Sequence, residues 1–297
     1  SDCESEESEE GSEEGSEEGS EESNESDEFT DFSELSSMGD MGEYFANIKD
    51  FPVQMILLEA MDHTLDICIE KDEFKMTVEE WTACLFQVIL TLLIYQKAFK
   101  FTHNDLHTNN VMFKKTDRKF IYYKYDNKYY KVPTYGRIYK IIDFGRAIYT
   151  FNGKLICSDS FHKNGDASTQ YNFGEFYNES KPMLLPNYSF DLSRLACSLF
   201  DYFVEDGAEL SDLKNPVQKL IFEWCSDDKN RNILYKSNGD ERYPDFKLYK
   251  MIARTVNKHT PENQLKRDMF KKYIVSKRSI NKKTFIFNID NIPQYYK

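Results

Sequence analysis

The sequence predicts an α+β fold, with short strands through the middle of the chain and helices toward its end. Three patterns carry that expectation. Trp81, Leu85, Val88, Ile89, Leu92 and Leu93 recur at helical spacing across 77–97, the mark of a largely buried helix. Tyr and Lys alternate through 120–132 around Asp126-Asn127, a pair that favours a tight hairpin turn. From Asp191 onward the period is helical again, with Leu192, Leu195, Leu199 and Phe203 on one face.

Taken in order, residues 1–28 repeat Ser-Glu-Glu-Gly without an aromatic or aliphatic anchor. Such a segment buries too little surface to offset its ordering entropy and is expected to be disordered. It reads as a solvated spacer; a second reading takes its serines as phosphorylation sites that deepen the charge. An acidic segment and linker over 1–50 thus precedes a folded domain over 51–297. The apolar run 51–58 follows that linker and reads as a strand. After the long helix, two short strands at 99–102 and 111–113 flank a polar turn. The hairpin comes next, as a solvated surface feature, then a buried strand at 137–142. Beyond Asp191 the chain is expected to stay mostly helical.

The net charge of −13 is unevenly spread. The first thirty residues hold 15 of the 51 acids and no Lys or Arg, leaving 36 acids against 38 bases in the remainder. No C-x-x-C pair occurs among the six cysteines, and with five scattered histidines no zinc-ligand spacing appears. Reduced thiols in a cytosolic or nuclear protein are the simplest reading. No signal peptide is evident, and the run 88–94 is too short to cross a bilayer, so no membrane is expected. Aromatics interleaved with lysines in the hairpin fit nucleic acid, but the surface-hairpin reading is preferred. Oligomeric state is left open.

The chemistry-bearing stretch is His103-Asn104-Asp105-Leu106-His107-Thr108-Asn109-Asn110, followed by a strand and then Ile141-Ile142-Asp143-Phe144-Gly145. It resembles the H-R-D-L-x-x-x-N catalytic loop and D-F-G metal loop of the protein-kinase superfamily. That resemblance implies a kinase-like fold, ATP and Mg²⁺ as cofactors, and a protein substrate phosphorylated on Ser or Thr. Asp105 would take the hydroxyl proton. Asn110 and Asp143 would hold metal with hard oxygen donors, and Gly145 would let the backbone turn. Upstream, Leu57-Leu58-Glu59-Ala60-Met61 is similar to a kinase hinge, with Leu58 as gatekeeper and the Glu59 and Met61 backbones on adenine. Met112 falls at the apolar floor under adenine. Asp191 is similar to the buried Asp that holds the catalytic loop, with His103 and Phe144 stacked nearby. Plain core packing is the competing reading for the apolar positions.

Departures refine the resemblance. Asn104 stands where many kinases carry an Arg that pairs with a phosphorylated loop, so that switch is not expected here. His107 gives the D-L-H form of haspin-like kinases, shared with aminoglycoside and choline kinases; it would touch the transferring phosphate or make an ordinary hydrogen bond. The 33 positions from Asn110 to Asp143 exceed a simple kinase's need, and no A-P-E follows Gly145. No G-x-G-x-x-G occurs, and Lys49 lies too close to the hinge to be the ATP lysine. The helical large lobe is therefore expected with most of the small lobe absent, by truncation or degeneration. The Lys/Asn/Tyr-rich style resembles kinases of large DNA viruses. A small-molecule kinase and a pseudokinase scaffold are the alternative readings.

Overall fold

A computed structural model describes Lys49, 52–53 and 55–297. The acidic segment 1–28, the remainder of 1–48 and Phe51 lie outside the described residues. The chain divides into units 1–57 and 58–297, and the second carries the fold, a mixed α+β architecture.

Its centre is one helix. After β1 (His63–Thr64) and a single-turn α1 (Ile67–Glu70), α2 runs Val78–Phe99. Thr77 starts it through a capping box: its side chain accepts from the Glu80 amide while the Glu80 carboxylate accepts from the Thr77 amide. Lys100, in the left-handed region at φ 52°, ends it. Fourteen of its 22 side chains are buried, on every side, as expected for a helix at the middle of a core. By length and composition the whole helix could cross a membrane, which corrects the reading based on 88–94 alone. Its burial among other elements is that of a core helix.

Strands β2 (Val111–Lys115) and β5 (Arg137–Ile141) pair antiparallel, with β1 on the far edge of β2. Between them the chain makes the hairpin β3 (Phe120–Tyr125) and β4 (Lys128–Pro133), turning at Asp126 and Asn127 with φ of 49° and 56°. Two positive φ values in a two-residue loop match the twist of the flanking strands. The hairpin is not a solvated surface feature. Ile121, Tyr123, Tyr130 and Val132 are buried, and Tyr130 meets Phe86 of α2 at 5.6 Å between ring centroids.

A small hairpin follows, β6 (Tyr149–Phe151) with β7 (Lys154–Ile156). Helix α3 (Phe190–Phe203) buries Leu192, Leu195 and Leu199, and α4 (Pro216–Trp224), α5 (Lys247–Thr255), α6 (Pro261–Gln264) and α7 (Asp268–Lys271) come after. The end of the chain is less helical than expected: β8 (Ile274–Val275) pairs with β4, and β9 (Phe287–Asn288) with β3, completing a four-stranded sheet.

Two predicted strands are absent. Residues 52–53 and 55–58 carry no regular structure, and Met55, Ile56, Leu57 and Leu58 are exposed. Apolar content alone does not make a strand, which exists only as one side of a hydrogen-bonded ladder. At 99–102, Phe99 closes α2 and only Thr102 pairs, in one bridge to Ile148. Five described cysteines are free thiols, with Cys68, Cys84 and Cys225 buried.

The hairpin's role in the core is directly testable. Ile121→Ala is expected to cost about 2–5 kcal/mol in urea unfolding, whereas Lys131→Ala, on the outward face, should cost under about 1 kcal/mol. Equal small effects would return the hairpin to the surface.

Candidate functional site

The polar turn 103–110 is fixed from below by one carboxylate. Asp191, fully buried at the first turn of α3, accepts the backbone N–H groups of His103 and Asn104, both at 2.9 Å. Burial pushes its pKa up, opposed by the neighbouring His103 ring and by those two amides. Thr108 anchors the far end, its hydroxyl donating to Asp66 at 2.8 Å and its amide to Ser198 of α3 at 3.2 Å.

His103 is spent on structure. Its Nδ1 accepts from the Asp105 amide at 3.3 Å, and its Nε2 lies 2.8 Å from the Ile142 carbonyl. A ring nitrogen that accepts from an amide leaves the other to carry the proton and donate. His103 also meets Phe144 at 5.7 Å between centroids, tilted at 53° and not stacked, while Phe144 leans edge-on toward Tyr95 and Phe101 and stays half exposed.

The register of β2 and β5 joins the two motifs. Val111 lies opposite Ile141, so Asn110 and Ile142 extend the ladder by one step and the Ile142 amide donates to the Asn110 carbonyl at 3.0 Å. Asp143 is the next residue, with φ 60°. One of its carboxylate oxygens accepts from the Gly145 amide at 3.2 Å, and a Cβ at Gly145 would sit 3.2 Å from that oxygen.

Asn110 is oriented by its amide nitrogen, which lies 2.9 Å from the Asp105 carbonyl and 3.2 Å from His107 Nε2. With both Nδ2 protons directed there, Oδ1 is left as an acceptor. His107 is held below its ordinary pKa chiefly by burial, with the Arg194 charge acting the same way and Asp105 and Asp143 opposing; a neutral ring accepts the Asn110 proton. Asp105, His107, Asn110 and Asp143 thus occupy one neighbourhood. An amide oxygen and a carboxylate are hard donors that suit Mg²⁺.

Two partners of Asp105 lie outside the motif, and Asn104 within it ties the loop to its surroundings. Tyr249 of α5, which lies 144 positions away, donates its hydroxyl to one Asp105 oxygen at 2.6 Å. Arg146 stands 3.7 Å from the other and 2.5 Å from Asp166. Asn104, buried with φ 64°, donates to Thr102 and to the Arg146 carbonyl at 3.0 Å, and its Oδ1 accepts from the Tyr171 hydroxyl at 2.8 Å. An Asn next to Asp in a polar turn was the one available signal, since Asn tolerates the left-handed region. Nothing marked Tyr249.

At the hinge-like stretch, Glu59 is paired with Lys140 and Lys114, which hold its carboxyl below the usual range, Lys140 first. The Ala60 carbonyl accepts from Lys114 at 3.2 Å. Past half-buried Met61, the chain joins β2 through β1, with Thr64 opposite Met112. Met112 alternates with buried Val111 and Phe113 and so lies on the opposite face of the strand.

No protein-family model matches the chain. It is 26% identical over 166 residues to a putative serine/threonine-protein kinase of Acanthamoeba polyphaga mimivirus, covering 55% of this chain and 35% of that protein. A probable serine/threonine-protein kinase of Dictyostelium discoideum is 39% identical over 99 residues, 31% of this chain and 8% of the relative. Serine/threonine-protein kinase haspin of Mus musculus is 37% identical over 60 residues, 20% of this chain and 8% of haspin. The matches span about a third of the mimivirus protein and under a tenth of the other two. The chain has a kinase-like relationship with these proteins, viral kinases included.

Asp191→Ala would strand two buried amides, each costing about 1–3 kcal/mol. Urea unfolding should show that loss, while Asp166→Ala, whose side chain is 62% exposed, should change stability by less than about 1 kcal/mol. A silent Asp191→Ala would remove it as the anchor of the loop.

Proposed function

We propose that the chain is the large lobe of an ATP- and magnesium-dependent protein kinase that phosphorylates Ser or Thr. The observation that carries this reading is the orientation of Asn110: Asp105 and His107 take its amide nitrogen, which turns Oδ1 toward the role of metal ligand beside Asp143. Asp143 is the residue after Ile142, whose amide bonds the Asn110 carbonyl, so the two side chains leave neighbouring points of one ladder.

Asn110 and Asp143 would hold Mg²⁺, which when bound offsets phosphate charge and orients the phosphates of ATP. Asp105 accepts the proton of the substrate hydroxyl as that oxygen bonds to the γ-phosphorus and the bond to ADP breaks. Tyr249 and Arg146 hold the Asp105 carboxylate in place. The Glu59–Met61 stretch and Met112 would take the adenine, and His107 supports Asn110 by staying neutral. The long ordered segment between Asp143 and Asp191, tied to the catalytic loop through Tyr171 and Asn104, favours a polypeptide substrate over a small molecule. Retention of Asp105, Asn110 and Asp143 together favours an enzyme over a scaffold.

ADP release by the full-length protein, with a mixed Ser/Thr peptide pool, tests the assignment; this chain alone is expected to be nearly inactive, because the phosphates would be held from one side only. Asp143→Ala is expected to abolish turnover, and Asp105→Asn to lower it roughly 10²–10⁴-fold. Wild-type-like turnover by Asp143→Ala would refute the metal role, and an unchanged rate for Asp105→Asn would place the base elsewhere.

A further inference from the structure

A cavity of about 670 Å³ is walled by residues within 161–184 and by Arg254 of α5. Four basic side chains line it, His162, Lys163, Lys181 and Arg254, against one carboxylate, Glu175. Among the described residues, neither lysine nor Arg254 forms an ion pair. Arg254 donates instead to the carbonyls of Thr169 at 2.8 Å, Lys250 at 2.6 Å and Gln170 at 3.4 Å. Its charge is held in place and left uncancelled. Tyr177 and Met183 add apolar surface to the same wall, 44% and 62% exposed. Outside the first thirty residues the chain carries 36 acids against 38 bases, so this is a local concentration of positive charge beside an apolar lip.

The cavity is tied to the catalytic loop at two points. Tyr171 lines it and donates to Asn104. Tyr249 bonds Asp105, and Arg254 follows it by five residues on the same helix, about 7.5 Å of rise.

We propose that this cavity docks an acidic peptide, its cations recognising Glu or Asp that flank the hydroxyl at Asp105. The proposal rests on the kinase reading above and names its substrate class. Charge complementarity selects the occupant: uncancelled cations over an apolar lip fit carboxylates on a flexible chain. The acidic repeat of this protein supplies a suitable probe, since Ser16 has Glu13 and Glu14 before it and Glu17 and Glu18 after it.

A fluorescent peptide of the sequence 8–24 is titrated, without nucleotide, into the full-length chain whose glutamates between 4 and 28 are changed to glutamine, which removes self-competition. Binding that weakens with salt is expected. Replacing the peptide's glutamates by glutamine should weaken it about tenfold, and so should Lys163→Gln with Lys181→Gln in the protein. Those lysine side chains make no hydrogen bond, so the melting temperature should hold; Arg254→Gln should weaken binding further. Equal binding of the Glu and Gln peptides, parent-like binding by the lysine variant, or tighter binding of a single-stranded oligonucleotide of equal length would each overturn the proposal. Because the assay needs no phosphoryl transfer, a peptide that binds but is never phosphorylated counts against the kinase reading and leaves the docking site standing.

Discussion

Asp191 is a carboxylate without exposure to water, and its two oxygens accept the amides of consecutive residues, His103 and Asn104. A buried carboxyl costs several kcal/mol unless its lone pairs are used, so the loop cannot drift without leaving its oxygens and two amides unsatisfied. The rest of the site follows from that obligation. His103, held at its amide, spends both ring nitrogens on the Asp105 amide and the Ile142 carbonyl, which links the catalytic loop to the strand end that leads into Asp143. Asp105 and Asp143 are therefore set by one buried anchor and one strand register, and neither depends on a contact between their own side chains.

The sequence made the motif and its neighbours legible because each has a local signature. The apolar spacing through 77–97 marks a helix, Asp126-Asn127 marks a two-residue turn, and Asp105, Asn110 and Asp143 sit beside predicted strands. What was illegible depended on distant partners. The apolar run 55–58 has strand composition, yet a strand is defined by its ladder and not by its residues. The hairpin 120–133 looked solvated because its alternation of Tyr and Lys is that of a half-buried sheet. Which side the aromatics face, and that β8 and β9 would flank it from more than 140 positions away, cannot be read from alternation alone. Tyr249 has the same character: its hydroxyl matters only because α5 lies against Asp105.

The 33-position interval between Asn110 and Asp143 has a simple physical account. Strands β2 and β5 pair directly through five registered positions, and the hairpin leaves between them to build a separate sheet with β8 and β9. Loop-closure entropy rises only slowly with length, so an excursion that buries Ile121, Tyr123, Tyr130 and Val132 more than offsets its own closure. The geometry of the site is indifferent to it, since the β2–β5 ladder fixes Asn110 against Ile142 whatever the chain does in between.

Asn104 decides where positive charge is spent. Its amide donates to Thr102 and Arg146 and its oxygen accepts from Tyr171, a fully satisfied neutral group in a buried, left-handed position. A guanidinium there would need an anion, and the segment from 144 to 189 would then be ordered only when one was supplied. With a neutral tie the segment is held without it. Arg146 is free to stand between Asp105 and Asp166, and Lys163, Lys181 and Arg254 keep charges that no internal carboxylate consumes. Charges of one sign gathered along a cleft attract groups of the opposite sign. A neutral residue at 104 therefore ties the loop to Tyr171, which lines the cavity, without drawing on the cations there.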